Sequence, residues 1–134
     1  MKKTYQGSCH CRLVRFEADM DLSKGTGKCN CSICSKSRFW SSMVKPDCFR
    51  LLEGKQALSD YQFNSKSTHH HFCKICGIKP FIEGYVEQIG GAFYSINLAC
   101  LDNISAGELA ELPVSFADGR NDNWWSVPDE TRHL

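Results

Sequence analysis

The chain has 134 residues, an apolar fraction of 42%, a charged fraction of 23% and a formal net charge of +1. Such a length supports one domain with a modest core, expected to span residues 1–134, and the scattered basic residues offer no surface for nucleic acid. No apolar run approaches the roughly 20 residues that cross a bilayer, so no membrane segment is expected.

The N-terminal run Met1-Lys2-Lys3-Thr4-Tyr5-Gln6 has two lysines but no apolar stretch behind them. It is unlike a secretory leader and points to a cytoplasmic chain with reduced thiols. After Cys9-His10-Cys11, the residues Val14, Phe16, Ala18 and Met20 alternate with Arg15, Glu17 and Asp19, the period of a half-buried strand. Residues 23–27, rich in glycine and polar side chains, break that strand and lead to Cys29-Asn30-Cys31-Ser32-Ile33-Cys34. Residues 39–44 and 49–53 read as strands either side of Pro46-Asp47, with a turn at Gly54-Lys55. Another strand is expected over 58–63, then a polar turn, then His69-His70-His71 leading into Cys73-Lys74-Ile75-Cys76-Gly77. Tyr94, Ile96, Leu98 and Cys100 alternate with polar or small residues and predict a strand over 94–100. One helix is signalled: Ser105 and Glu108 form a capping box, Leu109 and Leu112 are available to pack, and Pro113 stops it. Asp118-Gly119 is a turn, and the polar tail after Trp125 is expected over the surface. The expectation is a mainly β chain with one short helix, its sheets pinned by metal rather than by a large core.

Seven of the nine cysteines fall into clusters of two, three and two. Thiolates two or three residues apart converge readily on one tetrahedral zinc ion. The odd count and the absence of a leader argue against a disulfide framework. Cys73-x-x-Cys76-Gly77 reads as a metal knuckle, with the glycine accepting positive φ behind it. A thioredoxin-like redox pair is the alternative, but Pro80 follows too closely for a strand-to-helix unit. The partners of Cys73 and Cys76 are either Cys9 and Cys11 or two members of the central cluster; parsimony favours the first, which makes a four-thiolate site and leaves Cys29, Cys31 and Cys34 as a tripod. Three protein ligands leave one coordination position for an incoming thiol, which a metal would hold as thiolate. The alternative is a second closed site, with His10, His69, His70, His71, Cys48 or Cys100 as the fourth donor. The three histidines cannot converge from one strand, because neighbours point to opposite faces. Cys48 and Cys100 read as small buried hydrophobes. Of Trp124 and Trp125, one is expected in the core and the other along a pocket. Lys28, Lys36 and Arg38 flank the tripod and read as solvated surface charge.

Gly7-Ser8-Cys9-His10-Cys11, Cys29-Asn30-Cys31-Ser32-Ile33-Cys34, Phe72-Cys73-Lys74-Ile75-Cys76-Gly77, Ile96-Asn97-Leu98-Ala99-Cys100-Leu101-Asp102 and Asp118-Gly119-Arg120 occur in that order. The pattern covers nearly the whole chain and resembles the glutathione-dependent formaldehyde-activating enzyme family, or S-(hydroxymethyl)glutathione synthases, related to centromere protein V. The resemblance implies an Mss4-like fold of folded β-sheets with two zinc ions. Cys9, Cys11, Cys73 and Cys76 would hold a structural zinc, and Cys29, Cys31 and Cys34 a catalytic one. The implied reaction is carbon–sulfur lyase chemistry: addition of a small thiol such as glutathione to formaldehyde or a similar aldehyde, or its reversal. A non-catalytic zinc-stabilised binding module is the alternative. Gly77-Ile78-Lys79-Pro80 departs from the family pattern, which has a small hydroxylic residue after that glycine.

Overall fold

The structure is a computed structural model that describes residues 1–134. Its first five strands are β1 (Lys3–Ser8), β2 (Arg15–Met20), β3 (Thr26–Cys29), β4 (Trp40–Val44) and β5 (Phe49–Glu53). The rest are β6 (Leu58–Tyr61), β7 (Thr68–Cys73), β8 (Phe81–Val86), β9 (Gly91–Asn97) and β10 (Val114–Ala117). A three-stranded sheet has the order β1-β2-β5, and a seven-stranded sheet has the order β10-β3-β4-β9-β8-β7-β6. The mainly β expectation therefore holds.

Alternation along β2 decides how the small sheet sits. Phe16, Ala18 and Met20 are buried, while Arg15 is exposed and Glu17 and Asp19 are half-buried. The apolar row packs against the larger sheet, where Phe49 bridges Phe16 at 5.8 Å, Phe81 at 4.7 Å and Tyr94 at 4.2 Å between ring centroids. On the outer face of β2, Arg50 of β5 clamps Glu17 at 3.1 Å and Asp19 at 2.9 Å.

One pairing places the candidate site. β10 runs parallel to β3, with Ala117 opposite Cys29, so the residues after both strands emerge side by side. The remaining strand pairs are antiparallel.

The expectation of one helix requires correction, because there are two: α1 (Ser32–Ser37) and α2 (Ala106–Ala110). α2 is the expected helix, ending short of Leu112. Ser105 Oγ accepts from the Glu108 N–H at 3.1 Å, and Glu108 Oε1 accepts from the Ser105 N–H at 3.4 Å. α1 lacks any apolar stripe and buries none of its residues. The strand expected over 94–100 ends at Asn97, whose side chain accepts from the Ala99 N–H and turns residues 98–100 into a 3-10 helix. Trp124 and Trp125 are 49% and 80% exposed, so neither belongs to the core. The tail is tied down at Pro128 and Leu134, both buried. No helix is long and apolar enough to cross a membrane.

Candidate metal centre

The turn between β1 and β2 carries Cys9 and Cys11. It closes through Arg12 N–H to Cys9 O at 3.1 Å, with Arg12 in the left-handed region, φ 68°. The Val14 N–H donates to Cys9 Sγ at 3.4 Å. Cys73 ends β7, and the chain folds back through Gly77 N–H to Cys73 O at 2.7 Å. Gly77 has φ 79°, the conformation for which glycine was expected there. The Cys76 N–H directed at Cys73 lowers that thiol's pKa against the opposing effect of burial.

These two turns bring the sulfurs of Cys9, Cys11, Cys73 and Cys76 within 4.8 Å of one another. Cys9 to Cys11 and Cys11 to Cys73 are each 3.6 Å. A tetrahedron with metal–sulfur bonds of about 2.3 Å has edges of about 3.8 Å, so the four donors fit a zinc-sized thiophilic cation. Cys100 is buried nearby, and burial pushes its thiol up to about 12, as suits an apolar filler rather than a ligand.

Cys29, Cys31 and Cys34 form a second group whose sulfurs also lie within 4.8 Å. Cys29 ends β3, Cys31 caps the N-terminus of α1, and Cys34 lies on its first turn. The Cys31 N–H donates to Cys29 Sγ at 3.3 Å. None of His10, His69, His70, His71, Cys48 or Cys100 joins either group. Hydrogen bonding with Cys29 and then Cys34 lowers the Cys31 thiol, while contact with Cys29 and then Cys31 raises Cys34. Three adjacent sulfurs cannot all ionise unaided, and a cation among them would remove that penalty. Both clusters could therefore hold metal ions. They differ in donor number rather than in access: Cys9 and Cys73 are buried, Cys76 is half-buried and Cys11 exposed, while all three tripod cysteines are half-buried.

The loop after β10 supports the tripod. Asn30, buried between two of its cysteines, donates to Asp118 Oδ1 at 2.9 Å and accepts from the Arg120 N–H at 3.0 Å. Arg120 Nε also donates to Asn30 O at 3.1 Å. Hydrogen bonds from Asn121 and then Asn30 hold the Asp118 carboxyl below its ordinary pKa. Gly119 lies so close that a β-carbon there would sit 2.7 Å from Cys29 Sγ and 2.5 Å from the Trp124 ring. Trp124 and Cys29 thus flank Gly119.

On another side lie Phe39, His70 and Lys79. Phe39 follows α1 and donates its N–H to Cys34 O at 3.2 Å. Lys79 Nζ stands 4.5 Å from the Phe39 ring centroid and 3.3 Å from His70 Nδ1. Burial lowers the Lys79 pKa, and proximity to Cys34 and then Cys31 opposes this. The alternation expected of the histidine tract is present. His70 faces inward, while His69 and His71 stack on the opposite face and meet Asp60 at 2.6 Å and Glu83 at 2.9 Å.

Lys36 and Arg38 are exposed, as expected of solvated charge. Lys28 is not solvated: it donates to Leu134 O at 3.1 Å and lies 5.6 Å from the Trp40 ring centroid. Sequence reasoning missed Lys79 and Gly119 as neighbours of the trio, although Asp118-Gly119-Arg120 was visible as a motif. A groove of about 970 Å³ opens between the sheets over Phe49, Phe81 and Tyr94, but it contains no cysteine.

Comparison with known proteins bears on the fold and the family. A crystal structure of a Rhodobacter sphaeroides protein superposes with a TM-score of 0.70 at 26% identity, covering 82% of this chain and 99% of that one. The model of the family described as glutathione-dependent formaldehyde-activating enzyme matches residues 4–115, a span that takes in both cysteine groups. With most of its length matched, the chain belongs to the glutathione-dependent formaldehyde-activating enzyme family.

Proposed function

We propose that the protein is a two-zinc enzyme of the carbon–sulfur lyase type that adds a small thiol, glutathione or a relative, to formaldehyde or a similar aldehyde. In this reading Cys9, Cys11, Cys73 and Cys76 hold a structural ion that fastens the β1–β2 turn to the end of β7. Cys29, Cys31 and Cys34 hold the working ion. The observation that carries the reading is the difference in donor number, four convergent sulfurs in one cluster against three in the other without a fourth protein donor. When bound there, zinc supplies Lewis acidity, removing the proton of an incoming thiol so that its sulfur is nucleophilic at neutral pH.

The chain's own residues do the rest. Asn30, gripped by Asp118 and Arg120, fixes the spacing of Cys29 and Cys31. Phe39, whose N–H donates to Cys34 O, holds the end of the turn that carries the trio.

Cobalt substitution tests the proposal. The protein is expected to bind two cobalt ions, and added glutathione should change the absorption of one, which Cys31→Ser abolishes. Metal-loaded protein should also accelerate hemithioacetal exchange between glutathione and formaldehyde, followed by NMR. A cobalt spectrum indifferent to every thiol, with no acceleration, would point instead to a non-catalytic metal-braced module and overturn the reading.

A further inference from the structure

Three cations of the chain are half-buried: Lys28, Arg50 and Lys79. Lys28 donates to a backbone oxygen, and Arg50 is paired with Glu17 and Asp19. Lys79 has neither kind of partner. Its Nζ meets only neutral groups, the lone pair of His70 Nδ1 at 3.3 Å and the face of Phe39 at 4.5 Å. A cation taken from water without an anionic oxygen is costly, and neutral contacts offset only part of that cost. The cysteines within electrostatic reach of this ammonium are Cys34 and Cys31. His70 feels Cys31 as well, and Phe39 is tied directly to Cys34 through its backbone.

The position is also held rigidly. Asn97 Nδ2 donates to Lys79 O at 2.9 Å, and the Asn97 N–H donates to Pro80 O at 3.0 Å. The root of the side chain is thereby anchored to the end of β9, while Phe39 and His70 steer its tip.

We propose that the Lys79 ammonium receives the aldehyde oxygen, stabilising and then protonating the alkoxide that forms when the thiol sulfur adds to the carbonyl carbon. This role rests on the thiol-addition reading above. In the step a carbon–sulfur bond forms and the carbonyl π pair moves to oxygen. A proton passes from Nζ to that oxygen and completes the hydroxyl. The neutral amine then recovers, through water, the proton that the thiol released on binding. Thiol and aldehyde become hemithioacetal with nothing oxidised or reduced. His70 acts as a positioning residue, its Nδ1 fixing the direction of Nζ.

Three measurements on the full-length, metal-loaded protein test the proposal. In Lys79→Met, metal content and the glutathione dissociation constant read from the cobalt spectrum should stay at wild-type values. The catalysed exchange rate should fall about 100-fold, as for loss of an oxyanion donor, and Lys79→Arg should restore part of it. Formate serves as an anionic one-carbon probe: in wild-type protein labelled with carbon-13 at lysine Cε, it should shift the Lys79 resonance. A Lys79→Met rate within twofold of wild type, or a loss matched by equally weaker thiol binding, overturns the role. So does a Lys79 resonance that formate leaves unmoved, and this readout holds even if Lys79→Met fails to fold. If wild-type protein shows no catalysed exchange while formate still moves that resonance, the thiol-addition reading fails and the anion-binding role of Lys79 stands.

Discussion

At Gly119 there is no room for a methyl group beside the tripod. The glycine α-carbon is wedged between the Trp124 ring and Cys29 Sγ, so the β-carbon of alanine would lie 2.7 Å from the sulfur. Gly119→Ala should displace Cys29 and release one metal equivalent while the other remains bound, which metal analysis of the purified variant would show. Crowding of this kind typically costs about 1–3 kcal/mol, measurable by urea unfolding. Asn30 probes the same loop from the side of β3. Asn30→Ala leaves the buried Asp118 without one of its donors and should cost about 1–3 kcal/mol.

Among the elements, the two clusters should respond differently to the same chemical change. Cys9 and Cys11 belong to the turn that joins β1 to β2, and Cys73 ends β7 in the other sheet. Cys11→Ser, although at an exposed position, should lower unfolding stability by several kcal/mol, because an ion there would couple the two sheets. Cys31→Ser affects a group confined to residues 29–34 and should leave the unfolding midpoint nearly unchanged. Parallel denaturation curves of the two variants check the contrast.

The same elements show what could be read from the residues alone. β2 was legible because one of its faces is buried and the other meets water, so polarity alternates. β8 was missed for the opposite reason: Phe81, Ile82 and Gly84 are all buried, which erases the alternation. α1 has no apolar periodicity to find, since its shape follows from the cysteine turn that it caps. β10 is four residues long and takes its meaning from pairing with β3, a distant contact invisible in local sequence. The cysteine groupings were legible from spacing. Lys79 was not, because its place beside the trio depends on β7, β8 and β9 lying together.

For the molecule as a whole, acid sensitivity should be traceable to His70. The side chain is 5% exposed, and burial, with the neighbouring Lys79 charge, brings its pKa down from 6.5 to about 4. An unfolded chain takes up that proton near pH 6.5, whereas the native protein does so only near pH 4. Stability is therefore highest above pH 6.5 and declines as pH falls from 6.5 towards 4, by on the order of 3 kcal/mol at most. His70→Gln should flatten this dependence, and comparing unfolding free energies at pH 4.5 and pH 7 for both proteins cancels any shared effect of metal release.

The separation of the clusters along the chain also has a temporal side. Cys29, Cys31 and Cys34 need only a six-residue stretch to come together, but Cys11 and Cys73 meet across 62 positions. During synthesis the trio is complete while the quartet still awaits its second half on the ribosome. The loop that the quartet must close carries the larger entropic toll. A nascent chain short of metal would thus fill the trio first and leave the quartet open, making ion supply a determinant of how much protein survives its own birth.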